Sequence, residues 1–180
     1  DNSAISFHEP DPDSKGPEDE MKEADIHLAE WFKAFPIAKM CLGNHDKIPD
    51  RKRKFVGLPE RCFQPYRKIW NLPNGWDDDI EHEIDGVIYT HGTGLSGDTA
   101  HIKAATLNRC STVIGHTHSG CAVTYLVSKK DRIFGMNVGS GIDNKARAFE
   151  YGRNFLKKPV VSCGVVTDNG NYAQVFPMDL

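Results

Sequence analysis

The stretch Gly115–His118, of sequence Gly-His-Thr-His, constrains the fold of this chain more than any other segment. It follows residues 111–114, a β-favouring pair and an apolar pair, which together predict a short buried strand. Open α/β sheets hold their ligands at the carboxyl ends of their strands, so the two histidines are expected to extend into a crevice. The pattern therefore predicts a metal site at one edge of a sheet.

Two other strand-like runs end in similar residue types. Residues 37–42 lead into Gly43–Asp46, of sequence Gly-Asn-His-Asp, and residues 87–89 lead into Thr90–Gly92, of sequence Thr-His-Gly. Three strands are thus expected to bring nitrogen and oxygen ligands to the same edge of one sheet. Imidazoles with carboxylate or amide oxygens, and without thiolates, suit Mn, Fe, Zn, Ni or Mg.

These three motifs, with the Asn-Val-Gly-Ser turn at Asn137–Ser140, resemble those of the calcineurin-like metallophosphoesterases. The later motifs of that family are Gly-Asn-His-Asp/Glu, a lone His and Gly-His-x-His, in the order seen in this chain. The family opens with Asp-x-His and Gly-Asp-x-x-Asp, and neither is intact here. The resemblance implies an α/β sandwich of mixed β-sheets with flanking helices, with the N-terminal βαβ part missing from this chain.

The resemblance also implies a dinuclear metal site. It makes Asn44, His91 and His116 ligands of one divalent ion and His118 a ligand of the other. Two such ions lower the pKa of a water and clamp the attacking and leaving oxygens at phosphorus. The expected activity is hydrolysis of a phosphomonoester or phosphodiester by a hydroxide that bridges the two ions.

Two residues receive catalytic roles from the same resemblance. His45 is expected to stabilise the charge that develops at phosphorus and to protonate the leaving oxygen, which imidazole can do near physiological pH. Asp1 matches the last Asp of the family's second motif, which hydrogen-bonds the catalytic His. We therefore expect Asp1 to orient His45.

Two rival functions stay open. One is a binding scaffold that keeps the fold and has weak or no catalysis, and the other is a generic histidine metal-binding module. His45 favours the enzyme, because a simple metal clip has no use for it, whereas the missing first motifs favour the scaffold, with little or no catalysis, for the 180 residues taken alone. The triplet Asp25–His27 matches the letters of the first motif, but it falls in a predicted helix, where residues two apart point about 200° apart and cannot share one ion.

Composition limits the broad class of protein. The 180 residues are 39% hydrophobic and 26% charged, which predicts one globular domain over residues 1–180. The net charge of −3 excludes a strongly basic nucleic-acid binder on bulk electrostatics. Five cysteines without a Cys-x-x-Cys pair predict reduced thiols and a cytoplasmic location.

The same reasoning predicts the partners. No apolar run approaches the ~20 residues that cross a bilayer, so no membrane partner is expected. The resemblance implies a phosphate-ester substrate, with a nucleotide or nucleic acid among the candidates. The missing segment predicts either a homo-oligomer or pairing with that segment, because its absence uncovers sheet edges.

Periodicity and turn residues predict the remaining elements. Residues 8–20 are expected to form an acidic, proline-rich loop, and the basic run 51–54 either a solvated surface or a contact for a phosphorylated substrate. Helices are predicted over residues 18–34, 59–70 and 98–109, strands over 81–84, 87–90, 122–127, 132–138, 160–167 and 172–176, a turn-rich insertion over 71–79, and a loop over 142–158.

Overall fold

A computed structural model describes residues 16–141 and 156–179. Asp1, most of the predicted acidic loop at 8–20 and most of the predicted loop at 142–158 lie outside the described residues. The chain divides into two compact units, Asp1–Asp79 and Ile80–Leu180. The prediction of one domain over residues 1–180 stays a prediction.

The first unit pairs two short parallel strands and surrounds them with helices. Its elements are α1 (Pro17–Ala34), β1 (Ala38–Cys41), α2 (Ile48–Phe55), a 3₁₀ turn (Glu60–Cys62), α3 (Tyr66–Ile69) and β2 (Trp76–Asp79). Ala38 of β1 lies opposite Trp76 of β2. The predicted helix over 18–34 is confirmed, and because it begins at Pro17, residues 17–20 are not part of a loop.

Three buried side chains, Trp70, Leu72 and Trp76, form the core of this unit. The helix α1 packs Leu28 and Phe32 against them, and the rings of Phe32 and Trp76 meet edge to face with centroids 5.0 Å apart. The indole nitrogen of Trp76 donates to the carbonyl of Phe35 at 2.7 Å, so its polar group is satisfied inside the core.

Two predictions for this unit are wrong. The helix expected over 59–70 is a 3₁₀ turn and a single-turn helix, interrupted at Pro65, which has no N–H to donate and disfavours helical backbone before it. Residues 76–79, expected as part of a turn, form β2 instead. Two carboxylates of β2 form ion pairs with cations from elsewhere in the chain. Lys39 pairs with Asp77 and Arg67 pairs with Asp78, each at 3.0 Å.

The second unit is built around a mixed five-stranded sheet. Its elements are β3 (Glu81–Ile84), β4 (Val87–Thr90), α4 (Ala100–Asn108), β5 (Ser111–Ile114), β6 (Cys121–Val127), β7 (Arg132–Val138), β8 (Ser162–Thr167) and β9 (Tyr172–Pro177). The strand order is β3-β4-β5-β7-β6, with β4, β5 and β7 parallel and the outer strands antiparallel. Asp85 and Gly86, both at positive φ, form the tight turn between β3 and β4, as predicted.

This sheet is covered on both faces. The helix α4 packs Ala100 and Ala104 against Ile114 on one face, and the hairpin β8–β9 packs on β6 and β7 on the other. Gly135 of β7 permits the close approach of α4, because a Cβ there would lie 2.2 Å from the carbonyl oxygen of His101. The second unit is thus a three-layer arrangement of helix, sheet and hairpin, and the prediction of a mixed α/β fold is confirmed.

Among residues 16–141 and 156–179, no helix combines the length and the apolar character needed to cross a bilayer.

Candidate functional site

His91 and His116 lie side by side at the ends of neighbouring parallel strands. His91 follows β4 and His116 comes two residues after β5, and the backbone N–H of Gly115 donates to the carbonyl of His91 at 3.2 Å. The Nε2 atom of His91 and the Nδ1 atom of His116 are 2.9 Å apart, and the ring centroids are 4.8 Å apart. The pairing of β4 with β5 therefore brings one nitrogen of each ring within hydrogen-bond distance of the other.

This pair fits two neighbouring positions in the shell of a divalent ion. Two imidazole nitrogens at about 2.1 Å from one ion, with an angle of about 90° between them, are roughly 3.0 Å apart. Without an ion, one nitrogen carries a hydrogen and donates it to the other. The donor type agrees as well, because imidazole is a common ligand of Zn, Fe, Mn and Ni.

The described residues do not complete a metal centre by themselves. In the two described ranges, no group of three His, Cys, Asp or Glu side chains is placed so that it could hold an ion. His118 lies in the loop between β5 and β6, and its carbonyl accepts a hydrogen bond from the N–H of Val160 at 2.9 Å. The structure thus brings together His91 and His116 from the predicted ligand set.

Gly92 allows its backbone to pack closely beside Ile114 and His116. Its φ of +91° lies in a region that side chains with a Cβ rarely adopt. A Cβ at Gly92 would also lie 3.0 Å from the Cβ of Ile114 and 3.4 Å from the Cβ of His116. A residue with a Cβ at this position is therefore expected to strain the backbone and to press on Ile114, two residues before His116.

Asn137, near the end of β7, holds the loop that carries His116 and His118. Its side chain is buried, and its Nδ2 donates to the carbonyl of Thr117 at 3.1 Å and to the Thr117 hydroxyl. Its Oδ1 accepts from the N–H of Gly139 at 3.1 Å. The sequence indicated a turn at Asn137–Ser140 but no role for the amide, which depends on the pairing of β5 with β7.

We expect Asn137→Ala to lower the free energy of unfolding by about 1–3 kcal/mol, because it leaves buried partners of the amide without a hydrogen bond. Urea unfolding followed by fluorescence measures this change. Asn74→Ala, at an exposed position, is the matched control and should leave the unfolding midpoint unchanged. Equal midpoints for the two variants would contradict the role assigned to Asn137.

The turn Gly43–Asp46 lies in the first unit, directly after β1. Oδ2 of Asp46 accepts from the N–H of Gly43 at 2.7 Å, and the hydroxyl of Tyr66 donates to Oδ1 of Asp46 at 2.9 Å. The carbonyl of His45 accepts from the N–H of Ile48 at 3.0 Å, where α2 begins. Asp46 thus closes the turn that carries Asn44 and His45.

The surroundings of this turn change the pKa values of two groups. The pKa of His45 is lowered overall, because the effect of burial is larger than the opposing effect of the neighbouring Asp46 carboxylate. Burial and the Asp46 carboxylate both raise the pKa of Tyr66, so its hydroxyl stays protonated and donates. A lowered pKa keeps His45 neutral over more of the physiological pH range than an ordinary imidazole.

The Arg53 side chain forms hydrogen bonds inside the first unit. Its guanidinium is buried, with Nε bonded to Oδ1 of Asp50 at 2.9 Å and Nη1 bonded to the carbonyl of Leu58 at 2.8 Å. The remaining nitrogen, Nη2, also bonds to Asp50, at 2.5 Å. One residue of the basic run 51–54 therefore stabilises the first unit, which neither interpretation of the run predicted.

The triplet Asp25–His27 was not expected to bind metal, because it was predicted to be helical. Asp25 and His27 lie in α1, as the helix prediction required, and His27 is exposed. Asp1, the predicted partner of His45, lies outside the described residues.

Comparison with protein-family models finds none that matches this chain, and a search of curated proteins finds no match. The link to the metallophosphoesterases therefore rests on the motifs themselves.

Proposed function

We propose that this protein is a metal-dependent phosphoesterase that hydrolyses a phosphomonoester or phosphodiester. The observation that carries the proposal is the separation of 2.9 Å between Nε2 of His91 and Nδ1 of His116. These two histidines come from different motifs, and the family resemblance assigns both to one ion. The parallel pairing of β4 with β5 brings the two rings together, and the resemblance is what assigns them to a metal ion.

The resemblance extends the ligand set. It adds Asn44 to the ligands of the ion held by His91 and His116, and it assigns His118 to a second ion. When bound, two divalent ions supply a nucleophile at neutral pH and neutralise the charge that develops on the phosphoryl oxygens. The residues of this chain hold the ligand nitrogens in place, chiefly through the strand register and Asn137.

His45 has a different task in this proposal. The imidazolium form of His45 donates its proton to the leaving oxygen, and the neutral imidazole then takes up a proton from solvent water. The turn closed by Asp46 fixes the backbone of His45, so the imidazole starts from a defined position. Asp1 is proposed to orient the imidazole, as the resemblance implies.

The finer fold assignment belongs to the same proposal. A mixed sheet covered by a helix and a hairpin is compatible with a metallophosphoesterase sandwich. The cytoplasmic location and the association of two copies are proposed on the sequence grounds given above.

Metal content and turnover test the proposal together. Purified protein should contain one or two equivalents of Mn, Fe, Zn or Ni and should hydrolyse bis(p-nitrophenyl) phosphate or p-nitrophenyl phosphate in the presence of Mn. Treatment with a chelator should abolish turnover, and added Mn should restore it. Bound metal without turnover of either ester would favour the binding scaffold.

A further inference from the structure

The first unit contains a cavity of about 650 Å³ whose lining residues all belong to that unit. Pockets for small organic ligands have volumes of about 300–1,000 Å³, so this one is large enough for a ligand of several rings. Its walls come from α1, α2, the 3₁₀ turn, α3 and the segments between them, and the lining is mainly apolar.

The cavity borders the turn that carries the candidate catalytic histidine. Asp46, the residue after His45, is part of its lining, as is Tyr66, whose hydroxyl donates to Asp46. A molecule in this cavity therefore lies against the segment that holds His45. The leaving group of an ester is expected in such a position, because His45 is proposed to protonate the leaving oxygen.

The lining combines aromatic residues with hydrogen-bonding groups. Three of the lining residues are aromatic: Phe63, Tyr66 and Trp70. Three others have side chains that can donate or accept hydrogen bonds: Glu60, Gln64 and Lys68. Nucleobases are recognised in this manner, by stacking on aromatic side chains and by hydrogen bonds to their edges.

The charges of the lining indicate which part of a ligand this cavity binds. Arg53 also lines it, but its guanidinium is bonded to the Asp50 carboxylate and the carbonyl of Leu58. The cavity contains two further carboxylates, Asp46 and Glu60, which disfavour a phosphate inside it. The uncharged end of an ester suits this environment, with the phosphate directed away from it.

We propose that this cavity binds the nucleoside part of a nucleotide ester and so selects nucleotides among the esters that the protein hydrolyses. The inference rests on the proposed function, because it assigns the cavity to the leaving group of that reaction. An alkyl leaving group would bury the side chains of Glu60, Gln64 and Lys68 without giving them hydrogen-bond partners, which costs free energy.

Binding to chelator-treated protein tests the cavity independently of turnover. Isothermal titration calorimetry with AMP, GMP, CMP and UMP should give at least one nucleotide that binds tenfold or more tightly than ribose 5-phosphate, which lacks the base. Phe63→Ala should weaken that nucleotide about 5-fold to 100-fold, since loss of one stacking partner has an effect of this size. The affinity for ribose 5-phosphate should not change.

Phe55→Ala is the matched control for Phe63→Ala. Phe55 is 87% exposed and does not line the cavity, whereas Phe63 is 39% exposed and does. The control should bind all four nucleotides as the unmodified protein does. Equal weakening by both variants would overturn the proposal, as would equal affinity of the unmodified protein for ribose 5-phosphate and for the best nucleotide.

A protection experiment avoids any effect of substitution on folding. Cys62 and Cys163 are both exposed, but Cys62 lines the cavity and Cys163 lies in the second unit. The best nucleotide should slow the alkylation of Cys62 by iodoacetamide at least threefold and leave Cys163 unaffected, as measured by peptide mass spectrometry. Equal rates at Cys62 with and without nucleotide would overturn the proposal.

The two levels of the proposal fail separately. Turnover of bis(p-nitrophenyl) phosphate without any base-dependent binding would retain the phosphoesterase and reject the nucleoside cavity. Base-dependent binding and Cys62 protection without turnover of any ester in Mn would retain the cavity and reject the phosphoesterase.

Discussion

His91→Ala and His116→Ala are each expected to lower the hydrolysis of bis(p-nitrophenyl) phosphate by about 10³-fold or more, because metal-ion catalysis supplies several kcal/mol of transition-state stabilisation. Each variant removes one of the two imidazoles whose nitrogens are 2.9 Å apart. The ligands left in the proposed set are then too few to retain the ion. Elemental analysis should show a loss of about one ion per chain, and excess Mn should restore little activity.

The double variant sharpens this test. If both histidines hold the same ion, the loss of the second adds almost nothing to the loss of the first, because groups that act as a unit are strongly non-additive. Independent roles would instead multiply the two losses. His27→Ala, at an exposed position of α1, is the matched control and should leave metal content and turnover unchanged. Full activity of either single variant would reject the assignment.

His45→Ala is expected to lower kcat by about 10²–10⁴-fold while the metal content stays unchanged, since general acid catalysis is worth a factor of this size. The loss should depend on the leaving group. An alkyl alcohol leaves poorly without a proton, whereas p-nitrophenolate leaves easily as an anion. The variant should therefore lose most activity toward an alkyl ester and least toward a p-nitrophenyl ester.

Comparison of the unmodified protein with His45→Ala on the two esters, together with elemental analysis, measures this effect. Loss of metal from His45→Ala would make this residue a ligand. The same loss on both esters, with metal retained, would place its main effect on the charge at phosphorus and not on the leaving oxygen.

Local sequence patterns predicted the parts of the fold that depend on local physics. Asp85 and Gly86 adopt positive φ, so the hairpin of β3 and β4 was predictable from this dipeptide alone. The strand β5 was predictable from its residue types and from the glycine that follows it. The hairpin depends on contacts between residues that are close along the chain, whereas β5 was predictable from its composition although its partners β4 and β7 are distant along the chain.

Other elements depend on residues far along the chain. Aspartates are depleted in strands, so the sequence around Trp76 favours a turn. The strand β2 forms because Trp76 fills the core of the first unit and because Lys39 and Arg67 compensate two of its carboxylates. Lys39 meets Asp77 through the parallel register of β1 and β2, and Arg67 meets Asp78 from α3, so neither cation can be identified from the residues around Trp76 alone.

The candidate site shows the same division. The motifs that end β4 and β5 identified His91 and His116 as candidates, but their nitrogen–nitrogen distance follows from the register of two paired strands. The role of Asn137 likewise depends on the pairing of Ile114 with Asn137. The structure also assigns Asp46 to the closure of the turn before α2, which the motif alone did not indicate.

The hydrogen bonds of Asn137 to the loop after β5 affect how much conformational entropy this loop loses when the proposed metal ion binds. Its side chain bonds to Thr117 and to Gly139, and the carbonyl of His118 is bonded to Val160, so the loop is fixed from both sides. A loop that orders only on binding loses conformational entropy at that moment and has a weaker affinity as a result. Here the chain loses that entropy when it folds. The affinity of His91 and His116 for the proposed metal ion is therefore not reduced by a further ordering of the loop.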